Sequence, residues 1–270
     1  ENLGGREILL TLSRSGDGKD AEEYKIKTLS SEGYLRYIDW VNSNRDYVEK
    51  ASEGRIGYIH LPDMSAPGMV EFNKQYYNQL DKEGLIVDVR YNGGGFVSQL
   101  IIERLNRELI FLDYMRHGKR METYPHRTFL GHMVCLINEN AGSDGDIFPE
   151  AFKKSGLGPL IGTTTWGGVI GIRMDKPFVD GGLMSIPEYA HYDPERGWTL
   201  ENIGVDPDIE VVNRPQDRAA GLDPQLEKGI DVLRQKIMES PVALPEMKPF
   251  PNKSMEKWIE YWEKLGVETP

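Results

Sequence analysis

The chain of 270 residues carries 39% hydrophobic side chains, 10 Met, 13 Tyr and a single Cys, enough apolar material to bury one substantial core and to exclude disorder along its length. With 32 Lys plus Arg against 43 Asp plus Glu the net charge is −11, a balance not suited to neutralising phosphate, so nucleic acid is not an expected partner. Cys135 has no partner for an internal disulfide, and apolar runs such as Leu85-Ile86-Val87 are far too short to cross a bilayer. The first residues, Glu1-Asn2-Leu3-Gly4-Gly5, show no charged-then-apolar signal pattern.

Residues 6–13 and 22–29 alternate in the manner of strands around the turn-forming Ser15-Gly16-Asp17-Gly18, which predicts a hairpin. Residues 33–50 place Leu35, Ile38, Val41 and Tyr47 at helical spacing. From Gly54 the chain alternates short apolar strands with helices: strands over 55–61, 85–90, 132–137 and 160–162, and helices over 69–80, 96–105 and 144–154. Repeated strand-helix-strand units predict an α/β fold with a mainly parallel sheet, crossover helices and functional loops at the carboxyl ends of the strands. Beyond Gly167 the pattern turns β-rich, with strands expected over 169–174, 183–186 and 209–212 before a helix over 224–237. After Pro241, Pro245, Pro249 and Pro251, the residues Met255, Trp258, Ile259, Trp262 and Leu265 predict a short helix that docks one apolar face on the body or on a partner. The expected divisions are 1–30 for the hairpin, 31–53 for a linking helix, 54–240 for the α/β core and 241–270 for the tail.

Chemistry concentrates in two places where a buried strand runs through a loop into a helix. Ala141-Gly142-Ser143-Asp144-Gly145-Asp146 can present a serine from a tight strand-to-helix turn, with the helix's first amides beside it. The same residues also suit an ordinary N-cap, in which Ser143 caps the helix and Asp144 and Asp146 complement its dipole. Asn92-Gly93-Gly94-Gly95 lets backbone amides approach a ligand closely, or makes a tight turn of positive φ; there is neither G-K-[ST] nor G-x-G-x-x-G to suggest phosphate binding. No His/Cys/Asp/Glu group has metal-ligand spacing, and no cofactor is implied.

Asn92-Gly93-Gly94-Gly95, the Ser143 segment, Gly162-Thr163-Thr164-Thr165-Trp166-Gly167-Gly168 and Glu201-Asn202-Ile203-Gly204-Val205-Asp206-Pro207-Asp208 stand in the order found in the carboxyl-terminal-processing serine peptidases, and the chain resembles that family from about Arg6 to Ile237. The resemblance implies a ClpP/crotonase-like core preceded by the last strands of a PDZ domain. It implies Ser143 as nucleophile, the Gly95 and Asp144 amides as oxyanion hole, and Glu201 as the acid that, through a serine, orients a catalytic histidine. Members using a Ser–Lys dyad carry Lys where this chain has Gly168. The other branch takes its histidine, beside a serine, from a domain upstream of the PDZ module, so the missing N-terminal domains become an expected partner. Peptide substrates, a homo-oligomer (a hexamer) and a cytoplasmic setting are further implications.

The resemblance further places Asp113 near an acid that lines the family's primary specificity pocket, where it would favour a basic side chain, but it equally suits a solvated loop. His60, His117, His126, His132 and His191 each read as hydrogen-bonded or solvated histidines rather than as the base. Two other functions are compatible with the same core. One is a non-proteolytic module binding apolar ligands, like interphotoreceptor retinoid-binding modules. The other is a crotonase-type acyl-CoA enzyme, which would call for a basic patch that this acidic chain does not display.

Overall fold

The alternation that begins at Gly54 is realised as a parallel sheet sandwiched between two layers of helices. The computed structural model describes residues 3–115, 117, 121–173, 176–244, 247–248, 252 and 254–266. In chain order, strands β1 (Glu7–Leu12) and β2 (Glu22–Lys27) precede helix α1 (Gly33–Ala51). Then come β3 (Ile56–His60), α2 (Ala66–Tyr76), β4 (Gly84–Asp88), α3 (Ser98–Leu105), β5 (Phe111–Tyr114) and β6 (Met121–Tyr124). The chain continues through β7 (His132–Ile137), α4 (Asp144–Lys154), β8 (Leu160–Gly162), β9 (Gly171–Arg173), β10 (Ile186–Tyr189), β11 (Tyr192–Asp193), β12 (Gly197–Trp198) and β13 (Ile209–Glu210). Helices α5 (Pro215–Ala219), α6 (Pro224–Glu239) and α7 (Met255–Leu265) close the described part.

The main sheet has the order β13-β8-β7-β4-β3, and every neighbouring pair is parallel. Its residues alternate between two cores, as the period of a strand requires. Ile59, Val87, Cys135, Ile137 and Leu160 face α2, α3 and α4 with Phe72, Phe148 and Phe152. Tyr58, Ile86, Val134, Leu136 and Ile161 face α1 and α6 with Val48, Ile230 and Leu233. Because both faces are covered, the strands read as continuous apolar runs rather than as alternating ones. Each fully buried aliphatic residue contributes on the order of 1.5–3 kcal/mol.

At the β3–β4 side a buried polar cluster underlies the loops. Arg90, 2% exposed, is held by Asp88 and Asp223 at 2.7 and 2.8 Å. Tyr58 donates to Asp88. Asp223 also caps α6 by accepting the Leu226 amide. Although burial opposes it, the Arg90 guanidinium together with the Asn213 and Leu226 donors holds the Asp223 carboxyl below its usual range.

Several expected boundaries shift. The second helix starts at Ala66 and ends at Tyr76 rather than covering 69–80, because Asp63 organises its entry by accepting the Ser65 and Gly68 amides. The third helix begins at Ser98. The antiparallel ribbon β5–β6 falls where the sequence suggests a loop, and a second, β11–β12, lies within the region read as β-rich but was not delimited there. The strand expected over 183–186 lies instead at Ile186–Tyr189, paired with β9. Helix α7 forms where expected, yet none of its residues is buried and Trp258, Ile259 and Leu265 remain exposed; among the described residues its apolar face does not dock on the body, the first of the two expectations. Hairpin β1–β2 is likewise exposed along nearly its whole length. No helix among the described residues is long and apolar enough to cross a membrane.

Candidate active site

Strands β4 and β7 are neighbours, with Val87 opposite Cys135 and Asp88 opposite Leu136, so the loops leaving their carboxyl ends emerge side by side. Asn92 ties them together: its carbonyl accepts the Gly142 amide at 3.0 Å, its Oδ1 accepts the Gly94 amide at 2.9 Å, and its Nδ2 donates to the Leu61 carbonyl at 2.8 Å. Gly94 and Gly95 adopt φ of 85° and 152°, a region open to glycine. Space imposes the same requirement, since a Cβ on Gly94 would lie 2.6 Å from Ser143 Cβ and one on Gly95 would lie 1.8 Å from the Met64 carbonyl oxygen.

Ser143 opens α4 with φ 59° and ψ −122°, a conformation that costs a non-glycine residue on the order of 1–3 kcal/mol. A capping serine adopts extended backbone and accepts an amide of the first turn; Ser143 makes no such bond. The capping alternative therefore lacks its defining contact, and the hydroxyl stands in a cleft. The Ser143 amide donates to the Gly168 carbonyl at 3.0 Å. The Asp144 carboxylate accepts the Ser98 amide at 3.1 Å, which joins the starts of α3 and α4. Among the described residues the amides of Gly95 and Asp144 have no acceptor, and both residues line this cleft.

The segment 165–170 straps the site together. The Trp166 amide donates to the Ala141 carbonyl at 2.9 Å and the Asn202 amide to the Gly167 carbonyl at 2.7 Å. The Val169 and Ile170 amides both donate to Glu201 Oε2, at 2.7 and 2.8 Å. Glu201 thereby enters the cleft of Ser143, and its second carboxylate oxygen has no hydrogen-bond partner among the described residues. That cleft measures about 550 Å³ and includes Gly95, Ser143, Asp144, Trp166, His191 and Glu201 in its lining. Gly168 brings no side chain to it, and a Cβ there would lie 2.4 Å from Trp166 Cζ3. The space in which a dyad lysine would begin is occupied by an indole.

Four of the five sequence-selected residues, Ser143, Glu201, Gly95 and Asp144, converge on this one cleft. Asp113 does not line it; it is exposed on β5, opposite Glu122 of β6. His60 is buried between the Tyr37 hydroxyl and the Arg90 carbonyl, and burial lowers its pKa. His132 contacts the Ser240 carbonyl and His126 the Glu122 carboxylate. His191 shares the cleft with Ser143 but makes no hydrogen bond to it, and its buried Nδ1 has no partner among the described residues.

The sequence reading gave Asp146 only the part of a dipole-complementing residue. Its Oδ1 accepts the Gly167 amide at 2.8 Å, its Oδ2 has no hydrogen-bond partner among the described residues, and it is fully buried. Burial raises its pKa, opposed by the Thr165 hydroxyl and the Gly167 and Ser143 amides and assisted by the negative charge of Glu201. The available signal was an acid in the first turn after Ser143, which equally describes a dipole-complementing residue. Among the described residues no group of three or more His, Cys, Asp or Glu side chains is placed to hold a metal ion.

A parallel α/β core carrying a strained serine at a strand-to-helix turn, with unpaired amides and a fixed carboxylate in one cleft, has the arrangement of a serine hydrolase. Residues 55–211 match Peptidase family S41, and the chain belongs to that family. Within it, the chain is similar to Tricorn protease of Thermoplasma acidophilum, 46% identical over 232 residues that cover 86% of this chain and 22% of the relative. Tricorn protease homolog 1 of Streptomyces coelicolor is 44% identical over 245 residues, covering 91% and 23%. The crystal structure of the tricorn protease superposes with a TM-score of 0.81 at 45% identity, over 87% of this chain and 23% of that one. The chain thus spans about a quarter of the length of these relatives, matching their C-terminal region.

Proposed function

We propose that this chain is the catalytic core of a tricorn-like serine endopeptidase that cleaves oligopeptides through an acyl-enzyme on Ser143. The observation that carries the reading is the convergence, in one cleft, of a strained uncapped serine, the unpaired amides of Gly95 and Asp144, and Glu201. Ser143 Oγ attacks the scissile carbonyl as an imidazole takes its proton, and the tetrahedral oxyanion forms against the two amides. The C–N bond then breaks with that proton passing to the leaving amine, and water releases the acyl group by the same route in reverse.

The imidazole belongs to the upstream domains, where a serine beside it links it to the uncommitted oxygen of Glu201. Hairpin β1–β2, exposed on both faces, is the closing part of a PDZ domain whose other strands precede this chain. By the same resemblance the whole protein is a cytoplasmic homo-oligomer, a hexamer. Because Asp113 stands outside the cleft of its own chain, a role for it in selecting basic side chains requires the β5–β6 hairpin of another copy.

Fluorogenic peptides assayed with the purified 270-residue chain, alone and with the upstream domains supplied, test the reading. Negligible hydrolysis alone and Ser143-dependent turnover after complementation are expected. Triad enzymes stripped of their base retain only about 10³–10⁴-fold catalysis over water. Ordinary turnover by the isolated chain that disappears in His191→Ala would mean that the base lies in this chain after all. A Ser143 inert to serine-directed reagents even after complementation would favour the non-proteolytic binding module.

A further inference from the structure

Trp166 is 69% exposed although it stands in the lining of the Ser143 cleft, and the backbone is shaped around it. A Cβ on Gly142 would lie 2.6 Å from its Cε3, and one on Gly168 would lie 2.4 Å from its Cζ3. The two glycines next to Ser143, one in sequence and one accepting its amide, therefore let the indole rest directly on main chain. The Trp166 amide is bonded to the Ala141 carbonyl, which fixes the residue to the nucleophile turn itself. No ring contact supports the indole from its outer side among the described residues. In the same lining, Phe96 follows Gly95 and is 75% exposed. An indole seated this firmly, with most of its area left in water, gains little from its own fold; large rigid aromatics in that state are typical anchors for a bound chain.

From this arrangement we infer that Trp166 is a specificity-determining residue, a platform against which the peptide lays an apolar or aromatic side chain close to the scissile bond. The inference rests on the peptidase reading and adds to it a preference in the substrate. The acids beside the platform have other tasks, Asp144 holding the Ser98 amide and Glu201 holding the Val169 and Ile170 amides with one oxygen and facing the upstream serine with the other, so apolar burial rather than charge pairing is the contact on offer.

The test compares wild type, Trp166→Ala and Trp166→Phe, complemented with the upstream domains, on hexapeptides of alanine carrying one Phe, Leu, Lys or Ser at each position in turn. In wild type, Phe and Leu should raise kcat/KM at one position next to the cleaved bond. Trp166→Ala should lose about 10- to 100-fold for those peptides while the all-alanine peptide changes little, and Trp166→Phe should keep most of the preference. A uniform loss across all peptides would show that the ring only supports the turn, an unchanged profile would show that it contacts no substrate, and a wild-type preference for Lys at that position would remove the apolar assignment. Each of these overturns the inference while Ser143-dependent hydrolysis continues. Binding of the same uncleaved peptides to the isolated chain, read by tryptophan fluorescence that Trp166→Phe abolishes, gives a second readout independent of turnover. Complete absence of both hydrolysis and binding would instead remove the peptidase reading itself.

Discussion

Gly168→Lys places an amine where Ser–Lys members of the family carry theirs, and it should fail to create an active dyad. The new Cβ would sit 2.4, 2.6 and 2.7 Å from Trp166 Cζ3, Cε3 and Cη2, whereas carbon atoms pack at about 3.5–4.0 Å. The indole must move by roughly an ångström or more. Since it is 69% exposed, it can swing outward, which keeps the cost near the lower end of the ~1–3 kcal/mol typical of overpacking. For a chain of this size that is a fall in melting temperature of about 2–4 °C. A general base must also be neutral, and an ammonium in an open cleft beside Glu201 and Asp144 is held in its charged form. Thermal melts and peptide hydrolysis by the isolated chain check both parts. Adding Trp166→Ala removes the obstacle, so a double-mutant cycle should show a coupling of about 1 kcal/mol between positions 166 and 168. Ser143-dependent turnover of about 1 s⁻¹ or more from Gly168→Lys alone, with stability unchanged, would refute the reasoning.

Ser143→Ala should leave the melting temperature unchanged or slightly higher, because the hydroxyl makes no capping bond; a loss above ~2 kcal/mol in denaturant titration would restore the capping role. Asp146→Asn should stabilise the chain at neutral pH relative to wild type. The native carboxyl titrates above its unfolded value of about 3.9, so wild-type stability falls as pH rises from that value through the native one; a difference between the two proteins that shrinks as pH rises would contradict this. Asp146→Ala, which leaves the Gly167 amide without its acceptor, should be about 1–3 kcal/mol less stable than Asp146→Asn. Asp223→Ala should cost about 2–4 kcal/mol by stripping one of two carboxylates from buried Arg90 and uncapping α6. Its pH dependence has the opposite sign to that at Asp146: the lowered native pKa of Asp223 means that this stabilisation is present above the unfolded value and disappears as pH falls through the native one. A deficit that persists in full at pH 2 would exclude the ion-pair account.

The sequence by itself determined the α/β alternation, the bounds of strand His132–Ile137 and helix Asp144–Lys154, and the two loops that carry Gly95, Ser143 and Asp144. These are legible because apolar periodicity and glycine-rich turns are local properties of the backbone. The bounds of the short ribbons β5–β6 and β11–β12 were not, since strands of only two to four residues, most of them outside the core, are too short to show a period. The family resemblance supplied a role for Glu201, but only the tertiary structure brought its carboxylate to the Val169 and Ile170 amides beside Ser143, because a carboxylate's partner across two β segments is not encoded in spacing. Asp146 was legible only as a complement to the helix dipole and Trp166 only as a letter in a motif: burial decides that the first is a desolvated acid gripping Gly167, and the close approach of Gly142 and Gly168 decides that the second fills the place a lysine would need. Whether an acid is solvated or an aromatic is seated depends on atoms far away in the chain, and those contacts exist only once β4 and β7 lie side by side.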